Sequence, residues 1–214
     1  MILHTVYTDY LDALCRGDRR RALHTAQTAL NDGVDIRDLY LEVFQPAMHE
    51  IGLMWERNQI TVAQEHLATA ITQSVMAHLY GHVFQRTPVG RTLIATCIGG
   101  ELHELGIRMV ADFFEMEGWD VYYLGANMPA EDVVRLAQEQ QADLLAISVT
   151  LNSHVPHARR MIQVVRQSSI GDQIKIMVGG QPINRALDLY EKLGADFTAR
   201  DAREAVQLVM EVMA

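Results

Sequence analysis

The sequence predicts an α/β protein in two parts: an N-terminal four-helix-type bundle over residues 1–86, and a flavodoxin- or Rossmann-like domain with a five-stranded parallel sheet over residues 91–214. Three observations carry this. Up to residue 86 the apolar residues recur at helical spacing, with no strand signal. From Arg91 onward, short apolar runs alternate with amphipathic stretches, the pattern of βα units. The first of those runs, Arg91-Thr-Leu-Ile-Ala-Thr-Cys97, leads into the glycine-bounded loop Gly99-Gly100-Glu101-Leu102-His103-Glu104-Leu105-Gly106 and then into an amphipathic run from Ile107 to Gly118.

In the first part, Leu3, Val6, Tyr7, Tyr10, Leu11 and Leu14 mark one helix, stopped at Gly17. Asp18 is placed to cap a second helix that ends before Gly33. Asp35 opens a third, long segment through Leu39, Val43, Met48, Ile51 and Trp55, which Pro46 is expected to kink or divide. Thr61-Val-Ala-Gln64 is a capping box that starts a fourth helix running to about Phe84. On that helix Val62, Leu67, Ile71, Val75 and Leu79 are expected to face the core. A second face, Ala63, His66, Ala70, Ser74 and Ala77, is small apart from the histidine; it suits either a neighbouring helix or the approach of a flat, bulky body. Arg86-Thr-Pro-Val-Gly90 is the expected linker.

In the second part, strands are expected near 91–97, 119–124, 143–149, 174–178 and 195–199. Helices are expected near 106–117, 130–141, 155–168, 184–193 and 201–213. Right-handed crossovers favour the strand order 2-1-3-4-5, with the switch point between the first and third strands. There the His103 loop meets Ser148-Val-Thr-Leu151. No G-x-G-x-x-G and no Walker motif follows the first strand, which counts against dinucleotide and P-loop chemistry.

Composition narrows the function classes. Hydrophobic residues make up 49% and charged residues 21% of the 214, the balance of an ordinary soluble protein. A net charge of −9 disfavours direct nucleic-acid binding. No apolar run approaches the roughly 20 residues that cross a bilayer, and the N-terminus lacks a secretory pattern. Cys15 and Cys97 are isolated, which suggests neither a zinc site nor a disulfide framework. These features predict a cytoplasmic protein.

Ligands of open parallel sheets bind outside the carboxyl ends of the strands. His103 lies on the first such loop, and Glu101 can hold one of its ring nitrogens while the other coordinates a metal. The segment Glu101-x-His103-x-x-Gly106 resembles the D/E-x-H-x-x-G signature of cobalamin-binding domains, with Glu where methyl carriers usually have Asp. Further matches follow in order: Leu124-Gly-Ala-Asn-Met-Pro129, Ser148-x-Thr150-Leu151 and Val178-Gly179-Gly180. Residues 1–86 resemble the helical cap that accompanies such domains. The resemblance implies a corrinoid bound base-off, with His103 as lower axial cobalt ligand and Glu101 as its partner. The detached nucleotide base would enter a cleft lined by Ser148, Thr150, Gly179 and Gly180.

Trp55, followed by nine residues and then Glu65-His66, resembles the W-x9-EH motif of CarH-type adenosylcobalamin photoreceptors. That resemblance implies that Trp55 and Glu65 shield an adenosyl group, that light cleaves the cobalt–carbon bond, and that His66 then takes the upper position. CarH-type repressors carry a helix-turn-helix domain ahead of the bundle, whereas this sequence opens on the bundle. The expected output is therefore a protein partner, a change in self-association such as a homo-oligomer, or a domain outside this sequence. Two other readings stay open: a corrinoid methyl carrier of a methyltransferase system, and a cobalamin-dependent anti-repressor that binds a transcription factor. Related sensors also hold a bilin, which would sit non-covalently against the bundle. His78 and His82 form either a ligand-facing or a solvated pair. His154 and His157 flank Pro156 beyond the third strand, and Asn127 and Met128 border the expected lower corrin face.

Overall fold

The computed structural model describes residues 2–83, 87–186 and 188–213. Phe84 and Arg86, the expected end of the fourth helix and start of the linker, lie outside them. The chain divides into two compact units, Met1–Phe84 and Gln85–Ala214.

In the first unit, α1 (Ile2–Cys15) and α2 (Arg19–Asn31) are joined at Gly17, and the Asp18 side chain accepts the backbone N–H of Arg21 to cap α2. Asp35 caps α3 (Ile36–Asp38), which runs on through a π-helical stretch, Leu39–Phe44, into α4 (Gln45–Glu56). Pro46 therefore does not divide this segment. It stands in the first turn of α4, and the turn before it widens, so that the N–H of Gln45 reaches back to the carbonyl of Tyr40. The Thr61–Gln64 capping box opens α5 (Val62–Leu79), which tightens into a 3-10 turn at Tyr80–His82.

The core of this unit gathers Tyr10, Tyr40 and Phe44, with the Tyr10 and Phe44 rings 4.9 Å apart. Tyr10 donates to Thr72 Oγ1 at 3.1 Å, satisfying a hydroxyl that burial would otherwise strand. The buried stripe of α5 is Ala68, Ile71, Thr72, Val75, Met76 and Leu79. Val62 and Leu67, expected in that stripe, are exposed: on a helix of 3.6 residues per turn both project to the side of the face that Ala68, Ile71, Thr72, Val75, Met76 and Leu79 bury.

The second unit is a four-stranded parallel sheet in the order β2-β1-β3-β4. Its strands are β1 (Thr92–Ile98), β2 (Asp120–Met128), β3 (Leu144–Ser148) and β4 (Lys175–Gly179). The crossovers are α6 (Leu105–Met116), α7 (Ala130–Glu139) and α8 (Val155–Gln167). Ile94, Ile98, Leu145, Ile147, Ile176 and Val178 pack against α7 and α8. β1 is buried along nearly its whole length, as a central parallel strand must be.

The five-stranded expectation is corrected. Near residue 197 the chain makes only one bridge, Met177 to Phe197. The next edge donor of β4, the N–H of Ile176, is taken at 2.7 Å by the Asp196 carboxylate, so a side chain replaces the ladder bond that would extend the strand. The helix expected at 184–193 is also corrected. It is split into α9 (Gln181–Arg185), with Pro182 in its first turn, and α10 (Leu189–Leu193), because Ala186 leaves helical geometry at φ −134°. α11 (Ala202–Val212) closes the unit and packs on α6. No helix among the described residues is long and apolar enough to cross a membrane.

Candidate functional site

The loops at the carboxyl ends of β1 and β3 meet at one buried carboxylate. Glu101 is 0% exposed, yet both its oxygens are occupied. Oε1 accepts the His103 backbone N–H at 3.1 Å and its Nδ1–H at 2.5 Å. Oε2 accepts the Thr150 N–H at 2.9 Å and the His154 Nδ1–H at 3.0 Å. Four donors fill the acceptor capacity of a carboxylate and fix its plane. Burial would raise the Glu101 pKa, but the hydrogen bonds from His103, His154 and the Thr150 and His103 N–H groups outweigh it and hold the carboxyl well below its usual range.

The loop is fastened from a second side. Asn127, at φ +55°, accepts the Gly100 N–H on Oδ1 at 2.8 Å, and its own N–H donates to the Glu101 carbonyl at 3.0 Å. From inside the sheet, the Cys97 thiol donates to the His103 carbonyl at 3.6 Å. His103 itself is half exposed, 53% by side chain. With Nδ1–H committed to Glu101, the tautomer places the lone pair on Nε2, the atom that can ligate a metal. Leu102 and Leu151 flank this region as exposed apolar side chains.

The predicted site residues of the second unit thus come together. Glu101, His103 and Thr150 share hydrogen bonds, and Ser148 lies opposite both Cys97 and Gly179 in the sheet register. Gly180 packs on the Val149 backbone at φ +110°, a conformation and a closeness that only glycine supports. A Cβ on Gly106 would meet nothing within 4 Å, so the chain's own packing does not demand glycine in this first turn of α6. Trp55, Glu65 and His66 lie in the helical unit. Trp55 is exposed, and His66 Nδ1 contacts Glu65 Oε2 at 2.6 Å. His78 donates Nδ1–H to the Ser74 carbonyl of its own helix at 2.7 Å, in the manner of a helix-surface residue.

Sequence reasoning gave no role to three residues, two of them hydrogen-bonded to the Glu101–His103 loop and one near the end of β4. His154 reaches Glu101 across 53 residues, a separation that no local spacing encodes. Cys97 reads as isolated because its partner is a carbonyl. Thr198 has a buried Oγ1 with no hydrogen-bond partner among the described residues, and the carbonyl of its neighbour Ala199 lies 3.6 Å from where a Gly179 Cβ would be.

These features suit a metal whose remaining positions are filled by a macrocycle. One imidazole is held in one tautomer with Nε2 turned away from its carboxylate partner, a donor suited to a metal that needs a single protein ligand. Comparison with known proteins agrees. A family model described as a B12 binding domain matches residues 91–209, and a second with the same description matches residues 6–80. The chain belongs to the B12-binding domain family, and cobalamin or a related corrinoid is its ligand class.

Among relatives, dimethylamine corrinoid protein 3 of Methanosarcina mazei is 27% identical over 170 residues, 78% of this chain and 100% of that one. The monomethylamine corrinoid protein of Methanosarcina barkeri shares the fold at TM-score 0.87 and 23% identity, over 98% of this chain and 99% of that one. The methanol:cobalamin methyltransferase complex of the same organism matches at TM-score 0.54 and 16% identity, over 98% and 80%. These likenesses overturn the photoreceptor expectation. Relatives named as methylamine corrinoid proteins share both parts of the chain, so the bundle-plus-sheet order does not single out a light sensor.

Proposed function

We propose that the chain is a corrinoid protein that carries a methyl group for a methyltransferase, the source being a small methylated compound such as a methylamine. The observation that carries this reading is the half-exposed His103 imidazole, tied through Nδ1 to a buried carboxylate, in a chain whose relatives are named methylamine corrinoid proteins.

A bound corrinoid supplies a cobalt centre that accepts and gives up a methyl group. His103 Nε2 would hold that cobalt, and Glu101 would keep the ring in the tautomer this requires. Leu102 and Leu151 would cover apolar edges of the macrocycle and exclude water there. Ser148, Thr150, Gly179 and Gly180 would line the slot for the nucleotide tail, with the Thr198 hydroxyl as a further polar contact.

In this reading the upper ligand is a methyl group where the sensor reading expected adenosyl, and neither a bilin nor a ligand change at His66 has a part. Trp55 and Glu65 are retained as candidate cofactor contacts. The protein partner is a methyltransferase.

The test is methyl transfer. Corrinoid-loaded protein, reduced to the lowest cobalt state, is incubated with extract of its own cells and isotope-labelled mono-, di- or trimethylamine or methanol. Label on the protein-bound corrinoid is expected from one of these. Loaded protein that takes label from none overturns the reading and favours a cobalamin-binding regulator.

A further inference from the structure

We propose that Tyr123 is a positioning residue for His103, acting through the Glu104 carboxylate on the β2 side of the loop. The proposal rests on the reading of His103 as the cobalt ligand and adds a residue that takes no part in the Glu101 hydrogen bonds.

Glu104 directly follows His103 and is the N-cap residue of α6, where a side-chain oxygen ordinarily accepts an N–H of the first turn. The Glu104 carboxylate makes no such bond. It reaches toward β2 instead: a Cβ on Gly125 would lie 2.7 Å from Glu104 Oε2 and 3.7 Å from Tyr123 Oη. Carboxylate and phenol thus meet over a residue that has to lack a side chain. The backbone is arranged for this. The register of β2 slips between Tyr123, opposite Ala95, and Gly125, opposite Thr96, and Gly125 takes φ +72°. Glycine supports both the bulge and the close approach.

Tyr122 packs on the core beneath α7 and α8, so its neighbour Tyr123 points to the opposite face of the sheet. The Tyr123 hydroxyl is buried and makes no hydrogen bond among the described residues. A buried donor left unpaired is costly, and the group beside it is an acceptor. Burial and the Glu104 charge push the hydroxyl above its usual pKa, so it stays a donor. The Cys97 thiol already holds the His103 carbonyl. It does not restrain the far side of that peptide bond, from which Glu104 projects. Closure of the Tyr123 hydroxyl onto Glu104 fixes that side, and with it the direction in which His103 presents Nε2 when cobalt pulls on the ring.

The test uses protein loaded with cobalamin and reduced to cobalt(II), where a coordinated histidine nitrogen splits the electron paramagnetic resonance lines. Tyr123→Phe removes the hydroxyl and keeps the ring. The ratio of histidine-bound to histidine-off cobalt is expected to fall about fivefold, the scale of one hydrogen bond. Glu104→Leu removes the acceptor and is expected to give a similar fall, with no further fall in the double variant. Without cobalamin, Tyr123→Phe is expected to be no less stable to urea than the unaltered protein, because the hydroxyl it loses is unpaired there. A merely structural tyrosine would show the reverse: a less stable apoprotein and an unchanged ratio.

Should Glu104→Leu fail to fold, Glu104→Ala replaces it with the same expectation. An unchanged ratio in Tyr123→Phe, or a double variant in which the two falls multiply, overturns the proposal. A His103→Ala variant separates the two levels. If it keeps the splitting, the ligand reading fails and the proposal with it; if it loses the splitting while Tyr123→Phe leaves the ratio unchanged, the proposal alone fails.

Discussion

The carbonyl of Val149 fills the space that a side chain at Gly180 would need: a Cβ there would lie 1.9 Å from the oxygen, and Gly180 holds φ +110°. Gly180→Ala therefore combines a backbone conformation that L-residues avoid with a contact that neither strand end can relieve. We expect a loss of about 3 kcal/mol in urea unfolding, together with weaker corrinoid retention. A loss below about 1 kcal/mol would contradict this packing.

Asn127 does two things that can be separated. Its left-handed backbone turns the chain, and its Oδ1 accepts the Gly100 N–H. Asn127→Ala loses the acceptor and keeps a strained backbone, at a cost of about 1–2 kcal/mol. Asn127→Gly loses the acceptor and relieves the strain, and is expected to be the more stable of the two in denaturant titration. The reverse order would show that the backbone conformation is not what Asn127 supplies.

These two residues mark what local pattern reveals. The helix starts at Asp18, Asp35 and Thr61 were legible because a cap acts on N–H groups two or three residues away. The β1 loop was legible because its glycines, carboxylate and imidazole are contiguous. Long-range substitutions of one group for another were not. The Asp196 carboxylate displaces a ladder bond on β4, and His154 meets Glu101 from another loop; each depends on a partner 20 or 53 residues distant. The π-helical stretch before Pro46 is equally invisible, since an apolar stripe does not distinguish a widened turn from a normal one. The photoreceptor expectation failed for a related reason. Trp55, Glu65 and His66 are a short pattern, and the relatives that share the two-part order are named methylamine corrinoid proteins.

The stranded hydroxyl of Thr198 gives a prediction in two directions. Thr198→Val removes a buried polar atom that has no partner among the described residues, so the apoprotein should gain about 1 kcal/mol in thermal unfolding. If that hydroxyl meets the corrinoid tail, dissociation of the loaded variant should quicken by about 5–10-fold. Destabilised apoprotein with unchanged dissociation would remove Thr198 from the site.

Burial, reinforced by the charges of Glu101 and Glu104, pushes the Cys97 thiol from 9.0 up to about 12. A folded-state value above the unfolded one means that its contribution to stability is complete below about pH 9 and is lost as pH rises toward 12. The melting temperature should accordingly fall on the alkaline side of pH 9. At pH 8 a thiol reagent should modify the exposed Cys15 and reach Cys97 only after denaturant is added. Rapid modification of both thiols in the folded protein would contradict the buried position of Cys97.

Ligation of cobalt by His103, in place of the cofactor's own base, is tested most directly by nitrogen isotope labelling. Cobalt(II)-loaded protein is prepared once with 15N-histidine and once with a cofactor labelled with 15N in its benzimidazole. The splitting pattern is predicted to change with labelled histidine, to be unaffected by the labelled cofactor, and to vanish in His103→Ala. A pattern that follows the label in the cofactor's base, or survives in His103→Ala, would contradict it.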